Sequence, residues 1–220
     1  MYEKYGTVSG AMLDFANDIV AAFPDQLFQV IAYIFTETPP RTIRARENVI
    51  VQPGFLGHEL MNGSCDTLRP LSHPNNAGTR KLYLDWHKAR ARLNVWLYHR
   101  KYRRDFAVPA ACFWNFAEDF RFFKRIGVRN IYAESEYADL GGALFPNSFY
   151  TLHIYLASKL MDDPDRDADA LIRDFMEKYY GAAAGEMLAY AEYLRREMAR
   201  EKRPLGAVPE RELSYLTEDF

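Results

Sequence analysis

The sequence predicts an α/β protein, with about four parallel strands alternating with helices and loops and then a C-terminal helical block. Three observations lead there. Short apolar runs rich in aromatic and β-branched residues alternate with helical patterns, as in a parallel sheet whose strands are buried on both faces. No glycine-rich phosphate loop of the GxGxxG or GxxxxGKS/T type follows any of these runs, which weakens an open nucleotide-binding sheet relative to half of a (β/α)8 barrel. The C-terminal region carries the apolar period of packed helices.

The elements follow in order. "GAMLDFANDIVAAF" places Met12, Phe15, Ile19 and Phe23 on one helical stripe and stops at Pro24. "LFQVIAYIFTETPP" reads as a strand from Phe28 to Phe35, and "NVIVQP" as a second strand closed by Pro53 and Gly54. From Gly54 to Asn76 scattered Gly, Pro, Asn and Ser without a period predict a long loop, and loops of that length inside a domain are usually functional. The helix "AGTRKLYLDWHKAR" leads into the strand "LNVWLYH" and the basic loop "RKYRRDFAVPA". The helix "ACFWNFAEDFRFFKRIG" leads into "VRNIYAESEY". Three helices close the chain: one capped by Asn147 or Ser148, one running from an acidic cap to Gly181, and one long and charged. Residues 1–145 are expected to form the β/α region and 146–220 the helices packed on it.

Composition narrows the function classes. In 220 residues, 49% hydrophobic content suits a packed core, and 28 basic against 30 acidic residues leave a net charge of -2. That balance gives no field to gather nucleic acid or an anionic membrane, and no apolar run is long enough for a membrane span. The N-terminus is acidic and amphipathic, unlike a secretory signal. Cys65 and Cys112 lack metal-ligand spacing, so no cofactor is expected, while a disulfide between them stays open. His58 and Glu59 lack the second histidine of an HExxH motif, and His87 and His153 fall in helical patterns as packed or boundary residues.

The chemistry gathers at the strand ends: Tyr33, Thr36 and Glu37; Gln52; Trp96, Tyr98 and His99; Tyr132, Glu134 and Glu136. In a parallel barrel these ends converge on one mouth. Aromatic rings beside carboxylates and amides suit a sugar, whose C–H faces stack while its hydroxyls take hydrogen bonds. Glu134 and Glu136 share one strand face at a backbone spacing of roughly 6–7 Å, which permits the carboxylate pair of glycoside hydrolysis. Either could serve as general base, nucleophile or substrate-orienting group, with Trp96 and Tyr98 stacking on the sugar. His99 and Arg100 could meet the carboxylate of an acidic sugar. The competing roles are plainer: an acidic strand end as a solvated edge, Trp96 as core, and "HRKYRRD" as a solvated basic loop or a phosphate contact.

"FQVIAYIFTETPP", "ENVIVQPG", "LNVWLYH", "FRFFKRIGVRNIYAESEY" and "LHIYLASKLMDDPDRDADALIRDFMEKYYGAAA" resemble, in order and spacing, the bacterial domain-of-unknown-function family 4838, from Ala11 to Leu194. The resemblance implies a glycoside-hydrolase-like barrel, distantly similar to the α-glucuronidase and hexosaminidase barrels, of which this chain supplies the C-terminal half, strands five to eight. It also implies export, and a general acid on strand four, ahead of this region. The leading expectation is thus a domain that binds, and in complete form hydrolyses, a glycan. The alternative is a noncatalytic sugar-binding or assembly module, a partial barrel that needs its first half, another partner or a homo-oligomer.

Overall fold

The computed structural model describes residues 2–55, 69–89, 91–98, 111–134 and 149–201. Their order is α1 (Tyr2–Tyr5), α2 (Val8–Ala22), β1 (Phe28–Ala32), β2 (Val49–Pro53), α3 (Ala77–Lys88), β3 (Arg92–Tyr98), α4 (Phe116–Arg125), β4 (Asn130–Glu134), α5 (Tyr150–Asp162), α6 (Ala168–Tyr180) and α7 (Ala184–Arg200). The strands form one parallel sheet in the order β1-β2-β3-β4, each beside its neighbour in the chain. The α/β class, the four parallel strands and the helical C-terminal block are all present.

The two faces of the sheet differ. Ala32, Val49, Val51, Leu93 and Val95 point to one side and join Leu13 and Val20 of α2, Trp86 of α3, Phe120 and Phe123 of α4, and Leu152, Leu156 and Leu160 of α5 in one core. The alternate positions put Gln29, Ile31, Gln52, Asn94, Trp96, Tyr98, Tyr132 and Glu134 on the other side. Strands apolar on both faces were expected; instead one face is apolar against helices and the other carries amides, rings and a carboxylate.

Two sequence expectations change in detail. The buried stripe of α2 is Leu13, Ala16, Asn17 and Val20, whereas Phe15 is 68% exposed and Phe23 53% exposed. Helix α2 carries two apolar stripes, and the sheet takes the one with smaller residues, where Asn17 donates to Arg44 O and accepts from Arg46 N–H. Strand β1 stops at Ala32 rather than Phe35 because Ile34–Thr36 turn into a single 3-10 turn. Its Ile34 has φ +51°, an uncommon value for a β-branched residue. The Thr36 hydroxyl holds the turn, accepting from Tyr33 N–H and donating to Tyr33 O, both at 3.0 Å. Phe35 is thereby turned outward, 77% exposed.

The C-terminal helices follow their caps. Asp167 accepts a hydrogen bond from Ala170 N–H at 3.0 Å at the start of α6, and Gly181 at φ +54° ends it. Helix α5 begins at Tyr150 with Phe149 at its N-cap, while Asn147 and Ser148 lie outside the described residues. Arg69 ties the chain before α3 to the end of α7, donating to the carbonyls of Met198 and Glu201. Cys112 is buried with its sulfur 3.9 Å from His153 Nδ1. Cys65, His58 and Glu59, and the tail after Pro204, lie outside the described residues.

Candidate functional site

The polar face is built in layers. In the lower layer Gln29 Nε2 donates to Gln52 Oε1 at 2.7 Å, and Asn94 Nδ2 donates to Gln29 Oε1 at 2.7 Å. Gln29 stands on β1 and Asn94 on β3, two strand spacings apart, about 10 Å on a flat sheet. Their direct bond bridges β2, and with Gln52 it links three strands on this face. Amides that satisfy one another also explain how Gln52 and Asn94 tolerate burial.

The upper layer sits at the C-terminal ends of the strands. Trp96 stacks on Tyr98 with ring centroids 5.9 Å apart, and the Tyr132 edge meets Trp96 at 4.7 Å. The register places Trp96 beside Tyr132 and Tyr98 beside Glu134. Trp96 Nε1 donates to Glu134 Oε2 at 3.0 Å, fixing one carboxylate oxygen against the ring wall.

Gly54 opens the middle of the layer. A Cβ there would stand 3.5 Å from both Trp96 Cβ and the Tyr98 hydroxyl. With no side chain just past the end of β2 at that level, Tyr98 reaches across and hydrogen-bonds to Tyr33. Burial first, then the neighbouring Tyr33, Glu134 and Glu37, push the Tyr98 hydroxyl well above its ordinary range, so it remains a proton donor. Glu37 follows the 3-10 turn, and its backbone carbonyl accepts from Trp86 Nε1 at 2.7 Å, which anchors the turn to α3. Burial raises the Glu37 carboxyl above its usual range, with the Ile34 backbone N–H opposing. A carboxyl kept protonated longer and a carboxylate gripped by an indole thus share one face.

Of the residues picked from sequence, the structure brings Tyr33, Glu37, Trp96, Tyr98 and Glu134 together, with Gln52 in the layer beneath. Glu136, His99 and Arg100 lie outside the described residues. A family model described as a domain of unknown function (DUF4838) matches residues 1–194. The chain belongs to that family. Neither a curated protein nor a solved structure matches it.

Some residues of this DUF4838 chain's candidate site have no role from sequence alone. Gln29 and Asn94 have no role in the sequence reading, Gly54 enters it only as the close of the second strand, and Tyr132 stands at a strand end without a function. The alternation is visible: Gln29, Ile31 and Tyr33 step by two along β1 and just past its end, and Asn94, Trp96 and Tyr98 step by two along β3. Among the described residues of this DUF4838 chain, no group of three His, Cys, Asp or Glu side chains could hold a metal ion, and no helix is long and apolar enough to cross a membrane. His153 is packed between the Phe113 and Phe116 rings, as its helical setting predicts, whereas His87 is exposed.

Proposed function

We propose that the sheet is half of a (β/α)8 barrel and that its strand-end mouth binds a glycan, as a glycoside-hydrolase-like site. The observation that carries this reading is the Glu134 carboxylate held by Trp96 Nε1 inside the Trp96–Tyr98–Tyr132 wall. Aromatic faces take the apolar side of a pyranose, while Glu134, Tyr33 and Glu37 would meet its hydroxyls. For hydrolysis, Glu134 would act as base or nucleophile, with Glu136 two residues on. Glu37, whose carboxyl holds its proton longer, suits proton donation to a leaving oxygen. His99 and Arg100 would receive an acidic sugar.

Binding without turnover is a second reading, and it is favoured by Glu134 being tied to a donor that a nucleophile would have to share. The two are separated by assaying a panel of neutral and uronic-acid oligosaccharides for both binding and release of reducing ends.

The test is a tryptophan-fluorescence titration with that panel. Wild type should show saturable binding, Trp96→Ala should abolish it, and Glu134→Gln should weaken it about tenfold or more, as expected for loss of a charged hydrogen-bond partner worth about 1.5–3 kcal/mol. No saturable binding by wild type, or equal binding by all three proteins, sinks the proposal.

A further inference from the structure

The backbone at Ile34 is strained, and the strain falls inside the candidate site. Its φ of +51° lies in the left-handed region, where a β-branched side chain crowds the adjoining peptide and the conformation persists only if neighbouring contacts impose it. Ile34 is half-buried and outside the hydrophobic core, so core packing does not account for it.

Contacts on both sides of Ile34 impose the turn. Before it, the Thr36 hydroxyl holds the Tyr33 N–H and carbonyl, the Thr36 N–H donates to Tyr33 O at 3.1 Å, and the Tyr33 side chain hydrogen-bonds to Tyr98. After it, the fully buried Trp86 donates from Nε1 to Glu37 O at 2.7 Å. The next carbonyl, Thr38 O, accepts from the buried Ser9 hydroxyl of α2.

These contacts decide where Glu37 stands. Had β1 run on in extended form, four further residues would carry Glu37 about 13 Å past Tyr33. With Ile34 left-handed the chain doubles back instead. Glu37 N–H reaches Ile34 O at 3.4 Å, the Ile34 N–H faces the Glu37 carboxyl, and Glu37 and Tyr33 both act on the Tyr98 hydroxyl.

We propose that Ile34 is a positioning residue for the strand-end site: its left-handed backbone sets Glu37 beside Tyr33 and Tyr98, and the contacts on either side maintain the strain that this placement needs. The proposal rests on the mouth being the ligand site argued above, and not on which ligand it takes. A turn that only routed the chain from β1 back over α2 would leave the Glu37 carboxyl and ligand affinity indifferent to its loss.

Three full-chain variants test this. Ile34→Gly is the conservative variant for the backbone, since glycine adopts the same φ without strain. Ile34→Pro follows a Tyr33 that is already extended and fixes φ at about −65°, which removes the turn. Thr36→Val deletes the hydroxyl that clamps Tyr33 and keeps the branched shape. The first readout is carbon-detected NMR titration of the Glu37 carboxyl. In wild type and Ile34→Gly it should titrate above the usual glutamate range, because the turn holds it out of water. In Ile34→Pro and Thr36→Val it should fall back to that range. The second readout is affinity for the oligosaccharide panel, unchanged in Ile34→Gly and weakened about tenfold or more in the other two. Thermal melts establish that each variant is folded, and Thr36→Val carries the test if Ile34→Pro does not fold. A Glu37 carboxyl that stays at or above its wild-type range in the disrupted variants, or that drops in Ile34→Gly, overturns the proposal. So does a wild type that binds with an affinity none of the three substitutions changes. If the titration shifts as expected while no protein binds any oligosaccharide, the placement of Glu37 by Ile34 stands and the glycan reading falls.

Discussion

Gly54 governs how the strand-end side chains meet. Alanine fits, because its Cβ would make ordinary contacts at 3.5 Å with Trp96 and with the Tyr98 hydroxyl, whereas leucine would occupy the space Tyr98 uses to reach Tyr33. Gly54→Leu should therefore weaken glycan affinity by about tenfold or more, about 1.4 kcal/mol, while Gly54→Ala stays near wild type in the same titration. Asp119 offers a second residue-level test, away from the site. It accepts from Leu71 N–H at 2.8 Å, and burial pushes its carboxyl up to about 8, with the Leu71 bond opposing and Glu118 adding to the rise. The unfolded chain ionises this group near pH 4 and the folded chain only near pH 8. Stability falls as pH rises from about 4 and the loss is complete above about 8. Asp119→Asn keeps an acceptor for Leu71 and should flatten that slope, melting higher than wild type at alkaline pH. Parallel melting curves for the two proteins across the range would refute the assignment.

At the scale of elements, α2 and the turn after β1 show how burial separates residues of equal hydrophobicity. Leu13 is fully buried against the sheet and Phe35 is turned into solvent by the 3-10 turn. Leu13→Ala should cost about 2–5 kcal/mol in urea unfolding, and Phe35→Ser should stay within about 0.5 kcal/mol. Helix α1 depends on a close approach. A Cβ at Gly10 would overlap the Tyr5 side chain, and Tyr5 in turn donates to Asp14. Gly10→Ala should push α1 off α2 and expose the Arg41 N–H to Tyr5 O bond to exchange, read as faster amide exchange at Arg41 without global unfolding.

At the scale of the whole molecule, the α/β class, the four parallel strands and most of the polar and aromatic strand-end residues were legible in the sequence. The strands were legible because β-branched runs sit between proline, glycine and helical segments, and the site because polar and aromatic residues repeat at every second position of β1 and β3. Other features were set by tertiary contact. Helix α2 has two apolar stripes, and only its packing chooses Leu13 and Val20 over Phe15 and Phe23. The end of β1 depends on Thr36 capturing the backbone of Tyr33, a bond that composition does not announce. The layer of Gln29, Gln52 and Asn94 needed the strand pairing, since Gln29 bonds Gln52 on the neighbouring strand and Asn94 two strands away. The order β1-β2-β3-β4 also bears on how the chain acquires its shape at the ribosome. Each strand's partner is the strand synthesised just before it, so every new segment finds its template already formed, and none has to wait for a distant stretch of chain.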